Sequence, residues 1–124
     1  DALGVADLEE AIALRASGIK SRLMCWILSA EDDFEMAAEQ DIELGISNFA
    51  VLEAALAANV KTIHIKVDTG LGRAGFAKAQ WSEVFEKLSG QCRPSPYTWL
   101  VIHNKTSCAM IVHGIICFLG PCIR

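Results

Sequence analysis

The stretch KTIHIKVDTGLGRAGF, Lys61 to Phe76, decides how the chain folds. Its first half alternates in character. In an extended chain Ile63, Ile65 and Val67 fall on one side, and Thr62, His64, Lys66 and Asp68 on the other. The isoleucine side suits packing against helices. In an open sheet the other side would meet a second helix layer, a poor setting for a histidine, a lysine and an aspartate together. In a closed barrel it lines the lumen, and the C-terminal mouth of the lumen is where such barrels keep their chemistry. The alternation therefore favours a barrel. Beyond Asp68, Gly70, Gly72 and Gly75 permit a tight turn. That turn throws out Arg73, whose planar, permanently charged fork suits an oxygen anion or a carboxylate. A purely structural account also exists, in which Lys66, Asp68 and Arg73 neutralise one another.

Upstream, the same organisation repeats. Apolar runs at Ala2–Ala6, Arg22–Leu28 and Ile42–Ser47 read as strands. Each is followed by a helix start. Asp7 with Glu10 forms a capping-box pattern before Leu8, Ala11, Ile12 and Arg15, and Gly18 is placed to stop that helix. Asp32 or Asp33 caps a short helix through Phe34–Gln40, and Ser47 or Asn48 caps FAVLEAALAAN. After the Lys61–Val67 strand, Lys78–Leu88 reads as a helix with Trp81, Val84, Phe85 and Leu88 on one face. Four strand–helix units imply a parallel sheet and an α/β class. The fold expected is a partial (β/α)8 TIM-type barrel of about four units. No G-x-G-x-x-G follows the strands before Lys61, so a dinucleotide-binding fold has no support.

The chain has 124 residues, enough for one modest domain or a piece of a larger one. With 52% apolar residues it can build a packed core, and its net charge of −4 argues against a nucleic-acid partner. All fifteen acidic residues lie at or before Glu86, against eight basic ones in residues 1–90, so this part carries −7. The remainder carries only Arg93, Lys105 and Arg124, and four of the five cysteines (Cys92, Cys108, Cys117, Cys122). The break falls at LSGQCRPSP. Two segments are therefore expected: a partial barrel over residues 1–90, and an unmatched, hydrophobic, cysteine-rich tail over residues 91–124.

The string HIKVDTGLGRAGF resembles the signature of alanine racemases. Those pyridoxal-phosphate enzymes carry an apolar strand followed by K-[VIM]-D-T-G-M-x-R-x-G. Lys66, Asp68, Thr69, Gly70, Arg73 and Gly75 match it, with Leu71 in place of methionine. DALGVADLEEAIALRASGI is similar to the sequence that precedes the motif in the family, and the resemblance covers about residues 1–88. It implies a pyridoxal 5′-phosphate cofactor and interconversion of L- and D-alanine, which supplies D-alanine for peptidoglycan. It also implies a homodimeric, cytoplasmic enzyme with no nucleic-acid or membrane partner. By resemblance, Arg73 contacts cofactor and substrate. Lys66 is the lysine that CO2 can convert to N6-carboxylysine, with Asp68 and His64 in support. Only a neutral amine attacks CO2, and a nearby Arg73 and partial burial would favour that form.

The departures from the family are equally specific. The K-A-[ND]-A-Y-G-H-G type stretch that holds the Schiff-base lysine has no counterpart, nor has the catalytic tyrosine of the C-terminal domain; the single Tyr97 lies in the tail. Neither of the two catalytic bases is present, so the chain is expected to be inactive alone. The alternative is a non-catalytic relative acting in cofactor carriage or interaction. In the tail, WLVIHNK, with His103, echoes the family's next strand only faintly. YTWLVIH has strand-like composition, and CAMIVHGIICFLG is too short to span a bilayer. His103, Cys108, His113, Cys117 and Cys122 match no standard zinc spacing, so no metal is expected, and a disulfide framework does not suit a cytosolic enzyme. The tail reads as foreign to the barrel, from a shifted frame or an artefact of gene prediction. It is expected to be poorly ordered.

Overall fold

The computed structural model describes residues 2–68, 70, 72–89, 98–102 and 113–114. Strands β1 (Ala2–Val5), β2 (Arg22–Cys25), β3 (Ile42–Ile46) and β4 (Ile63–Asp68) alternate with helices α1 (Leu8–Ala16), α2 (Phe34–Glu39) and α3 (Phe49–Ala57). A short 3-10 turn at Lys78–Gln80 leads into α4 (Trp81–Ser89), followed by β5 (Thr98–Ile102) and β6 (His113–Gly114). The strands lie side by side in sequence order. β1 through β5 are parallel, and β6 runs antiparallel to β5. Sequential parallel strands joined by helices make this a partial α/β barrel.

Local chemistry sets the element ends. The Asp7 carboxylate accepts from the Glu10 amide at 2.9 Å, as the capping pattern predicts. The Glu10 carboxylate, however, reaches one residue further back and accepts from the Ala6 amide at 2.8 Å. Gly18 adopts φ +93°, the left-handed turn that closes α1, and the Ile19 amide bonds back to the Leu14 carbonyl. Asp33 and Asn48 cap α2 and α3 through the Met36 and Val51 amides. The Arg15 side chain lies on the surface only in part. Its guanidinium donates to the carbonyls of Gln40, Ile19, Ser21 and Asp41, tying the end of α1 to the end of α2.

β2 is shorter than the apolar run Arg22–Leu28 predicts, because the chain leaves the sheet at Trp26. There the amides of Trp26 and Ile27 both turn to the Ala6 carbonyl. The core lies between sheet and helices. Ile42, Leu44 and Ile46 of β3 and Ile63, Ile65 and Val67 of β4 pack with Leu8 and Ala11, Phe34 and Ala37, Val51, Leu52 and Ala55, and Val84 and Leu88. The isoleucine face of the opening stretch thus meets the helices. β5 pairs with β4 from His64 opposite Thr98 to Asp68 opposite Ile102. Cys92, His103, Cys108, Cys117, Cys122 and most of CAMIVHGIICFLG lie outside the described residues; of the tail expected to be poorly ordered, only β5 and β6 are described, as strands of the sheet.

Candidate active site

The lumen face of the sheet is built from the residues that alternate with the core. On β4 these are His64, Lys66 and Asp68, and Glu43 and Gly45 stand beside them on β3. His64 and Lys66 are the two buried polar residues among those described, 4% and 6% exposed. Burying them is tolerated because each has a partner. His64 Nε2 lies 2.7 Å from Glu43 Oε2, and the Arg22 guanidinium grips both Glu43 oxygens, at 2.5 and 2.9 Å. Burial pushes the Glu43 pKa up, but the bonds and charges of Arg22 and His64 outweigh it and hold the carboxylate below its usual range. A chain of three hydrogen-bonded side chains, Arg22, Glu43 and His64, therefore crosses β2, β3 and β4.

Lys66 lies two residues further along, toward the C-terminal ends of the strands. Its Nζ donates to the Trp26 carbonyl at 3.4 Å. Burial, and then the charge of Arg73, lower its pKa below the ordinary lysine value, so the neutral amine is more accessible than on a surface lysine.

Arg73 is exposed, on a turn that the chain folds back against β4. The Asp68 carboxylate opens the turn by accepting from the amides of Gly70 and Gly72, at 2.8 and 3.1 Å. Phe76 closes it. Its amide donates to the Lys66 carbonyl at 2.8 Å, and its carbonyl accepts from the Asp68 amide at 2.9 Å, so the turn begins and ends on the same strand. Phe76 is buried, edge-on to Phe49 at 5.0 Å, and its carbonyl also accepts from the Trp81 indole at 3.0 Å. The string from Lys66 to Phe76 is thus a clip that presents Arg73 beside Lys66. Thr69 and Leu71 of the motif lie outside the described residues.

All four residues expected at the site, His64, Lys66, Asp68 and Arg73, come together on β4 and its turn. Glu43, Arg22 and Trp26 join them and were not anticipated. The alternation of Glu43 between Ile42 and Leu44 was a usable signal for the first. Cys25, on the opposite, helix-facing side, is buried with its thiol pushed up to about 12, chiefly by burial, and is inert. Among the described residues, no group of acidic, histidine and cysteine side chains could hold a metal ion, and no helix is long and apolar enough to cross a membrane.

A parallel barrel segment whose lumen carries a buried lysine under an arginine turn defines a class of α/β-barrel protein with its site at the C-terminal ends of the strands. Comparison with known proteins narrows the class. Residues 1–107 match the family described as "Alanine racemase, N-terminal domain", and the chain belongs to that family. It is 38% identical over 91 residues to the alanine racemase of Corynebacterium glutamicum, covering 72% of this chain and 25% of that protein. It is 37% identical over 113 residues to the alanine racemase of Corynebacterium efficiens, covering 88% of this chain and 30% of the relative. The crystal structure of alanine racemase from Corynebacterium glutamicum superposes with a TM-score of 0.65 at 36% identity, over 69% of this chain and 26% of that one. The chain thus spans less than a third of the length of these relatives, and the matched span takes in β5.

Proposed function

We propose that the chain is part of a pyridoxal-phosphate-dependent racemase that interconverts L- and D-alanine, and that Lys66 and Arg73 are its contribution to the site. The observation that carries this is the buried, pKa-lowered Lys66 held beside the clipped Arg73 turn. Relatives that share the family are named alanine racemase. D-Alanine supply, a cytoplasmic location and a homodimeric state follow as parts of the same proposal.

The residues on the lumen face fit one side of the cofactor. Arg73 offers a cation to the anionic groups of a pyridoxal phosphate or of a substrate carboxylate, and the half-buried Trp26 offers an aromatic surface. When bound, the cofactor supplies an electron sink for the carbanion left by loss of the α-proton. Lys66 is the single lysine in the described strands, and its amine is engaged with the Trp26 carbonyl. It suits a different task. Its neutral amine adds to CO2, a C–N bond forms, and the nitrogen gives up a proton to water. The resulting carbamate is an anion that holds Arg73 in place while its remaining N–H still faces the Trp26 carbonyl. Asp68 fixes the turn, and the Arg22–Glu43 ion pair with His64 bonded to it fills the lumen below.

Removal and return of the α-proton on opposite faces of the substrate need two bases. Neither the expected Schiff-base lysine stretch nor the tyrosine of the family's C-terminal domain occurs in this sequence. The chain with pyridoxal phosphate is therefore expected to show no conversion of L-alanine in an assay for D-alanine. Conversion that is lost in Arg73→Ala would contradict that expectation and assign the whole activity to this chain. The site itself is tested with 13C-labelled bicarbonate. A carbamate carbon resonance is expected that disappears in Lys66→Arg and weakens in Arg73→Ala. Absence of the resonance from the unaltered chain would favour the non-catalytic alternative, a cofactor carrier or interaction module.

A further inference from the structure

Two lumen-face positions are glycine where a strand gains nothing from one. Gly4 sits in the exposed edge strand β1, and Gly45 is buried in the centre of β3. Glycine weakens a strand interior, and where it occurs it marks the close approach of something else. Both positions are approached by the same residue. A Cβ on Gly45 would lie 2.9 Å from the Trp26 Cβ, and a Cβ on Gly4 would lie 2.6 and 2.7 Å from Cζ3 and Cη2 at the far edge of the indole. Neither separation is one that real side chains adopt. The indole is therefore rooted over β3 and reaches across to β1. The backbone of Trp26 is fixed as well. Its amide is bound by the Ala6 carbonyl at the end of β1, and its carbonyl accepts from Lys66 on β4. One side chain thus spans the lumen face from β3 to β1, on a residue whose backbone carbonyl holds the Lys66 amine, and it stays half-buried, with part of its surface uncovered.

We propose that Gly4 and Gly45 are positioning residues. Their missing side chains form a seat that holds the Trp26 indole as a wall of the pocket, against which a planar conjugated ring is held beside Lys66 and Arg73. The seat is a matter of packing alone, whereas the identity of the ring rests on the pyridoxal-phosphate reading above. Offset stacking of one ring on an indole contributes enough that its loss weakens binding about tenfold.

Fluorine NMR of the whole chain labelled with 5-fluorotryptophan tests both parts, with the three resonances assigned by W26F, W81F and W99F. Gly4→Ala is the informative variant, since β1 is an exposed edge where one methyl leaves the fold intact. An unchanged Trp81 resonance verifies that. In Gly4→Ala without ligand the Trp26 resonance is expected to move. A Trp26 resonance that stays in place in both Gly4→Ala and Gly45→Ala overturns the seat. The probe for the ring is pyridoxine 5′-phosphate, which has no aldehyde and cannot bond covalently to lysines. It is expected to shift the Trp26 resonance of the unaltered chain and to bind Gly4→Ala about tenfold more weakly. In a W26F background the same Gly4→Ala change is expected to alter affinity little, because the smaller ring leaves room for the methyl. An equal loss in both backgrounds overturns Trp26 as the wall. If the unaltered chain does not bind the probe at all, the cofactor assignment and the wall fall together, and the ligand-free resonance still decides the seat.

Discussion

Gly75→Ala is expected to lower the stability of the chain by about 2–4 kcal/mol and to release the turn that carries Arg73. Two separate costs meet at this position. Gly75 has φ +109°, a conformation that strains any residue with a side chain. A Cβ there would also lie 3.0 Å from the Asp68 nitrogen, the Lys66 carbonyl oxygen and the Val67 carbonyl carbon. All three are backbone atoms of β4, so no flexible side chain can yield. The only relief is for Phe76 to leave the strand, which breaks its two backbone bonds to Lys66 and Asp68 and pulls its ring from Phe49. A urea titration followed by circular dichroism should show the midpoint fall steeply. An unchanged midpoint would mean that the turn is not docked on β4.

Ile65→Ala is expected to cost about 2–5 kcal/mol, the range for removing a large aliphatic side chain from a packed core. Ile65 is 0% exposed at the centre of β4 and belongs to the buried cluster between sheet and helices. A domain of this size is stabilised by only about 5–15 kcal/mol in total, so the loss is a large share of what holds the chain folded. The control is Ile27→Ala. Ile27 is 64% exposed beyond the end of β2, and its truncation should change stability by no more than about 0.5 kcal/mol. Equal effects at the two positions would contradict the assignment of the isoleucine face to the helices.

Much of this arrangement was legible because it rests on local rules. Period-two alternation in Lys61–Asp68 separated the core residues Ile63, Ile65 and Val67 from the lumen residues His64, Lys66 and Asp68. Asp7, Asp33 and Asn48 were recognisable as caps from their place before apolar helical spacing. The glycines after Asp68 announced a turn, and the family string named Lys66 and Arg73.

What was not legible depended on contacts between segments far apart in sequence. Arg22 opens an apolar run, and nothing local says that it will hold Glu43 across the sheet, or that Glu43 will hold His64. Arg15 looked like one more position of the first helix, yet its head group ties four carbonyls from two loops. Trp26 looked like the continuation of a strand. Only the fold brings its indole over Gly4 and Gly45, and only the fold gives those two glycines a reason. β5 was readable as strand-like composition in YTWLVIH, but its place beside β4 is a matter of pairing that composition does not encode.

The central claim is that the lumen holds Lys66 as a lysine whose charged form is disfavoured by burial and by Arg73. Titration of the Lys66 ε-methylene by carbon NMR, in the unaltered chain and in Arg73→Ala, tests it most directly. The unaltered chain should lose its Lys66 proton at a pH below 10.5, the value for an unperturbed lysine. Removing the Arg73 charge should move the midpoint upward, and only part of the way, because burial remains the larger cause. A Lys66 that titrates at the ordinary lysine value, and does not respond to Arg73→Ala, would contradict the account.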